Sequence, residues 1–130
     1  MNRRVLIVDD EEPIRSLLSV AFQKAGFVPA AAANGEQALG LMKASPTWVA
    51  FVDLNMPGMD GLELCRRIRK EWPLAIVYAV TGYASVYDLY ECREAGFEDY
   101  FTKPVDLSVL VAAANHAFSK VERWQRREAE

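Results

Sequence analysis

The chain is organised as short, continuous apolar runs separated by longer stretches in which apolar residues recur at helical spacing. Continuous apolar runs are typical of strands that are buried on both faces of a parallel sheet. Such runs occupy residues 5–8, 48–52 and 75–80. With two weaker stretches, the predicted strands span residues 5–8, 27–33, 48–53, 75–80 and 98–102. The second of them is short and rich in alanine, so we place it at an edge of the sheet.

Each predicted strand is followed by a stretch with the spacing of an amphipathic helix. The first helix starts at Pro13, carries an inward stripe and ends at Gly26; the stripe consists of Ile14, Leu17, Leu18, Ala21 and Phe22. Capping residues place the starts of the other helices near Asn34, Asp60, Ser85 and Asp106. Five strands that alternate with five helices predict an α/β fold with a doubly wound parallel sheet.

Composition and charge fit a single domain. The chain has 130 residues, of which 52% are hydrophobic and 25% charged. A formal net charge of -3 favours neither nucleic acid nor an anionic membrane as a partner. Cys65 and Cys92 form no C-x-x-C pair, and no apolar run has the length of a signal peptide or a membrane span. We therefore expect a cytoplasmic domain over residues 1–121, followed by a charged helical tail over residues 122–130.

The carboxyl ends of the predicted strands carry polar side chains. In chain order these are Asp9 and Asp10, then Asp53, Thr81 and Lys103. Such ends meet at one edge of an open parallel sheet, so we expect the five side chains to converge. Neighbouring carboxylates raise one another's pKa unless cations offset their charge. Lys103 offers one cation, and Mg²⁺ suits the site because it needs few protein carboxylates.

This set of groups predicts phosphoryl chemistry. The Asp53 carboxylate can attack phosphorus to form an acyl phosphate without a general base, because it is ionised at neutral pH. Mg²⁺ and Lys103 would neutralise charge on the transferred oxygens, and the Thr81 hydroxyl can donate a hydrogen bond to one of them.

Four segments carry a resemblance to a known family. The segments are Val8-Asp9-Asp10-Glu11, residues 53–61 (DLNMPGMDG), Thr81-Gly82 and Phe101-Thr102-Lys103-Pro104. In this order and spacing they resemble the receiver domain of bacterial two-component response regulators, especially the single-domain, chemotaxis-type regulators. The resemblance covers roughly residues 3–121 and implies a flavodoxin-like fold, a five-stranded parallel sheet of order 2-1-3-4-5 flanked by five helices.

The resemblance also assigns roles at the acidic end of the sheet. It implies that Asp53 is the phosphoacceptor and one of the Mg²⁺ ligands. Asp10 is then expected to bind Mg²⁺ directly, and Asp9 largely through water. The backbone carbonyl of Asn55 is expected to complete the metal site.

Further roles are implied at the ends of the fourth and fifth strands. Thr81 matches the switch hydroxyl, and Lys103 matches the lysine that contacts the phosphoryl group. The peptide bond between Lys103 and Pro104 is expected to be cis. Tyr100 matches an aromatic switch residue whose ring moves inward when Thr81 shifts.

The resemblance implies protein partners on both sides of the signal. His116, the only histidine, falls opposite the apolar stripe of the last helix, so we expect the phosphoryl group to come from outside. A sensor histidine kinase, a phosphotransfer protein or acetyl phosphate would supply it. A downstream effector protein or output domain would read the fourth helix, fifth strand and fifth helix, through which a homodimer is also possible. The residues predicted for this output face are Val86, Leu89, Tyr90 and Tyr100.

Two alternatives to a phosphorylated switch remain at this stage. A Mg²⁺-dependent phosphohydrolase working through an aspartyl phosphate would need a second acidic group and a substrate-covering cap, for which 130 residues leave no room. A protein-interaction module that works without phosphorylation would not need the acidic site. We expect a switch that catalyses only its own phosphorylation and dephosphorylation, and not an enzyme with a separate substrate.

Overall fold

The computed structural model describes residues 3–82 and 89–129 of the chain. Strands and helices alternate throughout these residues. The strands are β1 (Arg4–Val8), β2 (Val28–Ala32), β3 (Val49–Val52), β4 (Ile76–Thr81) and β5 (Phe97–Thr102). The helices are α1 (Glu12–Lys24), α2 (Gly35–Ala44), α3 (Gly61–Glu71), α4 (Leu89–Ala95) and α5 (Leu107–Ala129).

The five strands form one parallel sheet of order β2-β1-β3-β4-β5. This confirms the predicted order 2-1-3-4-5 and the edge position of β2. Because β1 and β3 are neighbours, their carboxyl ends lie side by side at the centre of the sheet. The crevice beyond these ends is where an open α/β sheet places its functional groups.

Each face of the sheet has its own apolar core, and β1 contributes to both. Leu6 and Val8 belong to the cluster covered by α2, α3 and α4, whereas Val5 and Ile7 belong to the cluster covered by α1 and α5. Successive strand residues point to opposite faces, so a strand covered on both sides must be apolar at every position. That requirement accounts for the continuous apolar runs in the sequence.

The prediction for the first helix was wrong at one position. Leu17 is 50% exposed, whereas Leu18 and Phe22 are buried. Residues four apart lie on one helix face, and the next residue is rotated by about 100° around the axis. The row of Ile14, Leu18 and Phe22 faces the sheet, so Leu17 points away from it.

Side chains cap three of the helices as predicted. Asn34 accepts a hydrogen bond from the Gln37 amide at 2.9 Å, and Asp60 accepts one from the Glu63 amide at 3.0 Å. Asp106 accepts one from the Ser108 amide at 2.9 Å. The predicted start of the fourth helix, near Ser85, lies outside the described residues.

The last helix, α5, runs without interruption through Val121 to Ala129. The proposed boundary between residues 121 and 122 is therefore not marked by a break in the helix. Within the described parts of the chain, no helix combines the length and the apolar character needed to cross a bilayer.

Candidate functional site

The carboxyl ends of β1, β3, β4 and β5 bring the polar residues together. Asp9 follows β1, Asp53 follows β3, and Thr81 is the last residue of β4. The backbone continues the ladder past the strand ends, with the Asp53 amide donating to Val8 O at 2.9 Å and the Lys103 amide donating to Thr81 O at 2.9 Å. Main-chain bonds of this kind fix the direction in which each side chain leaves the sheet.

Three carboxylates form a compact acidic cluster. Asp9, Asp10 and Asp53 each offer one oxygen, and these oxygens all lie within 4.8 Å of one another. Asp9 and Asp53 are only 2% and 3% exposed, whereas Asp10 is exposed at the rim. A set of hard oxygen ligands with one open side fits Mg²⁺, which retains several waters when it binds to proteins.

Lys103 lies between two of the carboxylates but closer to one. Its Nζ donates a hydrogen bond to Asp9 Oδ2 at 2.9 Å and lies 3.6 Å from Asp53 Oδ2. Burial opposes the charge on this ammonium, but the hydrogen bond to Asp9 and the negative charges of Asp53 and Asp9 outweigh it and raise the pKa of Lys103. The side chain therefore remains a cation next to Asp53.

The Asp53 carboxyl is harder to ionise than an ordinary aspartate. Burial, followed by repulsion from Asp9, raises its pKa from 3.8 to about 6. Attraction to Lys103 and a hydrogen bond from the Asn55 amide, at 3.3 Å, act in the opposite direction. Asp53 is thus mostly a carboxylate at neutral pH, and its negative charge is only partly compensated.

Backbone and guanidinium donors orient Asp9, and the sequence prediction did not include them. The Glu11 amide donates to Asp9 Oδ1 at 2.9 Å, and the Arg15 guanidinium donates to the Asp9 carbonyl at 2.8 Å. An aspartate that accepts from the amide two residues ahead is a common local turn, which the sequence could have indicated. The contact from Arg15 depends on how α1 leaves the strand and has no comparable sequence signal.

Gly61 lets α3 start directly against the end of β3. Its amide donates to Leu54 O at 3.0 Å. A β-carbon at this position would overlap the Asp53 carbonyl oxygen and lie 2.7 Å from Leu54 Cα. A side chain here would push the helix away from the backbone that carries Asp53.

Thr81 and Tyr100 lie on the neighbouring strands β4 and β5. Thr81 is fully buried. Tyr100 is half-buried and packs against the apolar cluster beneath α2, α3 and α4, and its hydroxyl is shielded from solvent without a hydrogen-bond partner among the described residues. Burial, then the proximity of Cys92, raises the pKa of Tyr100.

The remaining predicted residues have mixed outcomes. The peptide bond between Lys103 and Pro104 is cis, as expected. Leu89 and Tyr90 on α4 are 65% and 72% exposed, whereas Val86 lies outside the described residues. Asn55 is exposed, and its observed contact with the site is the hydrogen bond that its backbone amide donates to Asp53 Oδ1.

Sequence comparison identifies relatives of this chain. The profile of the family described as the response regulator receiver domain matches residues 5–115. The transcriptional regulatory protein CseB of Streptomyces avermitilis is 38% identical over 108 residues, which cover 83% of this chain and 46% of that protein. The chain thus spans less than half the length of this curated relative.

Solved structures have the same fold. A CheY-like receiver domain from Methanospirillum hungatei superposes with a TM-score of 0.89 at 28% identity, covering 95% of this chain and 98% of that one. The chemotaxis protein CheY4 of Vibrio cholerae gives a TM-score of 0.84 at 27% identity, covering 90% and 99%. NtrX from Brucella abortus gives 0.89 at 25% identity, covering 98% of this chain but 30% of NtrX. Together with the profile match over residues 5–115, these likenesses show that the chain belongs to the receiver domain family of two-component response regulators.

Proposed function

We propose that this receiver domain is a switch operated by Mg²⁺-dependent phosphorylation of Asp53. The observation that carries the proposal is the convergence of three carboxylates within 4.8 Å with a lysine 3.6 Å from Asp53. Two buried aspartates and their exposed neighbour destabilise a fold through mutual repulsion. Such a cluster is useful when a divalent cation offsets the repulsion and stays bound while Asp53 accepts a phosphoryl group.

In the proposed reaction, Asp53 is the nucleophile. One carboxylate oxygen attacks the phosphorus of a phosphohistidine or an acyl phosphate and forms the new P–O bond. The bond between phosphorus and the donor breaks, and the donor leaves with the electron pair and takes a proton from solvent where its basicity requires one. Asp53 needs no general base above about pH 6, because its carboxyl is then ionised.

The metal would be held directly by Asp10, Asp53 and the Asn55 carbonyl, and by Asp9 largely through water. When bound, Mg²⁺ supplies positive charge that stabilises the oxygens of the transferred group. The exposed carboxylate of Asp10 leaves the open side of the site accessible to the ion and to a phosphodonor.

The charges next to Asp53 suggest how the switch responds. A phosphoryl group adds negative charge and acceptor oxygens at Asp53. Lys103 Nζ, now 2.9 Å from Asp9, would turn towards these oxygens, and the Thr81 hydroxyl would donate to one of them. Tyr100 would follow Thr81 because both side chains lie on adjacent strands at the same end of the sheet.

Partners are proposed on the input and output sides. A sensor histidine kinase or phosphotransfer protein would donate the phosphoryl group. A downstream effector protein or an output domain would read a surface formed by α4, β5 and α5, where Leu89 and Tyr90 are exposed. The name of the relative CseB supports a transcriptional output of the whole regulator. This domain itself, with a net charge of -3, is proposed to make no direct contact with nucleic acid. A homodimer through the same surface is the other proposed use of it.

Intact mass spectrometry tests the proposal. Incubation with acetyl phosphate and Mg²⁺ is expected to add one phosphoryl group to the wild-type chain and none to Asp53→Asn. The matched control Asp99→Asn, which removes an exposed carboxylate of β5, should be modified like wild type. A chain that takes up no phosphoryl group from acetyl phosphate or phosphoramidate would instead support the interaction module that works without phosphorylation.

A further inference from the structure

A basic pocket lies at the amino ends of β4 and β5, at the edge of the sheet opposite to the acidic site. Its volume is about 270 Å³, and it is lined by Arg69, Ile76, Arg93, Gly96, Phe97, Glu98 and Lys120. The length of β5 separates it from Lys103 by about 20 Å. The pocket is thus distinct from the phosphorylation site.

Gly96 shapes the floor of this pocket. It adopts a φ of +108°, in the left-handed region that favours glycine. A β-carbon on Gly96 would lie 2.8 Å from Arg69 Cγ and 3.2 Å from Arg69 Nε. The missing side chain therefore allows Arg69 to lie flat across the turn between α4 and β5.

Main-chain carbonyls hold both guanidinium groups in place. Arg69 donates to the Ala75 carbonyl at 2.5 Å. Arg93 donates from one nitrogen to the carbonyls of Phe97 and Glu98, at 3.3 and 3.1 Å. Each guanidinium has five N–H donors, so these bonds orient the group and leave further donors available. Orientation before binding lowers the entropic cost of holding an anion.

The pocket has an excess of positive charge. Arg69, Arg93 and Lys120 contribute three cations and Glu98 one anion, which accepts a hydrogen bond from Lys120 Nζ at 3.1 Å. Among the described residues, neither arginine has a carboxylate within 4.0 Å. Arg69 of α3 and Arg93 of α4 line the same pocket and match the oxygens of a phosphate group, which guanidinium groups bind in a bidentate manner.

A second cavity of about 230 Å³ continues the pocket along α5. It shares Arg69, Ile76, Glu98 and Lys120 with the first, and its other lining residues are Pro73, Leu74, Val121 and Trp124. Those four are apolar or aromatic, and Trp124 is 50% exposed. The combined site therefore has a cationic half and an apolar half.

We propose that this site binds a small organic phosphate monoester whose phosphate contacts Arg69, Arg93 and Lys120 and whose apolar, planar body lies against Trp124. The charge of the first cavity selects the phosphate, and the lining of the second favours a ring over a flexible chain. The dimensions of the two cavities suit a small molecule and not an extended polymer. The proposal does not depend on phosphorylation of Asp53.

Phenylphosphonate is the probe for this site, since its phosphorus–carbon bond is not cleaved by a carboxylate and it cannot modify Asp53. Titration in EDTA is followed by the amide resonances of Gly96 and Phe97 and the indole N–H resonance of Trp124. We expect saturable shifts in all three, and tighter binding of phenylphosphonate than of inorganic phosphate. Absence of shifts at Gly96 and Phe97 would overturn the site, and equal affinity for the two anions would overturn its apolar half.

Four variants test the charges. Arg93→Gln and Lys120→Gln, both of exposed side chains, should each raise the Kd about tenfold, the effect of losing one charged hydrogen bond. Lys70→Gln removes the same charge from the exposed neighbour of Arg69 and should leave the Kd unchanged. Glu98→Gln should lower the Kd, because it frees Lys120 from its carboxylate partner. If phenylphosphonate binds to Arg93→Gln, Lys120→Gln and Lys70→Gln with equal Kd, the attraction is non-specific and the proposal is wrong.

Discussion

At the scale of single residues, Asp53 combines burial with a charge that its neighbours only partly compensate. It is 3% exposed, lies beside Asp9 and has a pKa of about 6. In the unfolded chain the same carboxyl ionises near its ordinary 3.8. The folded state thus holds the proton more tightly, and folding opposes the ionisation that makes Asp53 a nucleophile.

Because folding opposes the ionisation of Asp53, the variant Asp53→Asn should be more stable than wild type by an amount that depends on pH. When folding raises the pKa of a carboxyl group, the protonated group contributes its full stabilisation below the unfolded pKa, near 4. That stabilisation is lost as the pH rises through the folded pKa of about 6. Asparagine has no charge, so without Mg²⁺ the variant should exceed wild type in free energy of unfolding by up to about 3 kcal/mol at pH 7. Urea unfolding at pH 4 and pH 7 measures the difference.

The two proteins should be nearly equally stable at pH 4. Asp99→Asn is the control, since its carboxyl is exposed and should give a small difference at both values of pH. An Asp53→Asn variant that is less stable than wild type at pH 7 would contradict the proposed strain at the acidic cluster.

The identities of the site residues followed from the sequence, but their interactions did not. Asp9, Asp53, Thr81 and Lys103 were identified because each follows or ends a predicted strand, and parallel strands bring such ends together. Lys103 Nζ lies nearer to Asp9 Oδ2, at 2.9 Å, than to Asp53 Oδ2, at 3.6 Å. Such differences arise from the register of β5 and from burial, which a linear pattern does not contain.

At the scale of elements, the start of α3 is tied to the end of β3 by a close backbone contact at Gly61. Gly61→Ala should lower the free energy of unfolding by about 1–3 kcal/mol, because the added methyl group overlaps the backbone at Asp53 and Leu54. Thermal or urea unfolding measures this change.

Gly40 provides a matched control for the same substitution. It is exposed within α2, and nothing lies within 4 Å of a β-carbon built there. Gly40→Ala should raise the free energy of unfolding by about 0.5–1 kcal/mol, the gain in helix propensity. Equal effects of the two substitutions would contradict the close contact at Gly61.

Leu89 and Tyr90 of α4 are exposed and should contribute more to protein contacts than to stability. Leu89→Ser and Tyr90→Ser should change the free energy of unfolding by less than about 0.5 kcal/mol, because both side chains are exposed. If they form a dimer surface, sedimentation of the chain phosphorylated with acetyl phosphate should show weaker association in both variants. Leu17→Ser, at a leucine of α1 that is 50% exposed, should associate like wild type.

A phosphorylated wild-type chain that stays monomeric would contradict the homodimer and leave the proposed effector as the reader of this surface. Equal association of all variants would place the dimer contact elsewhere.

The elements themselves were largely predictable from the sequence. Strands covered on both faces need continuous apolar runs, and helix starts need capping side chains, so both leave clear local signals. The orientation of α1 was less clear, since its apolar residues include Leu17 and Val20, which are exposed. Which of two adjacent leucines faces the sheet is decided by the packing of the helix, not by its composition.

At the scale of the whole molecule, the acidic cluster links folding to metal binding. A ligand that binds only the folded chain raises the free energy of unfolding of that chain. The gain is about 2.7 kcal/mol when the ligand concentration is a hundred times the Kd. Mg²⁺ should therefore stabilise wild type at pH 7, and EDTA should reverse the gain. Unfolding in urea with Mg²⁺, compared with NaCl at equal ionic strength, measures it.

Asp10→Asn should lose most of this stabilisation. Asp10 is exposed, so its substitution should have little effect on the metal-free fold. Asp99→Asn should respond to Mg²⁺ like wild type. Equal stabilisation of all three proteins would show that Mg²⁺ acts elsewhere on the surface.

The residue that carries the phosphoryl group, which we propose is Asp53, can be determined directly. Borohydride reduces an acyl phosphate of aspartate to homoserine and leaves free carboxylates unchanged. After incubation with acetyl phosphate and Mg²⁺, peptide mass spectrometry of the reduced chain should find homoserine at position 53 and aspartate at positions 9 and 10. Aspartate at position 53 in a chain that has gained a phosphoryl group would contradict the account.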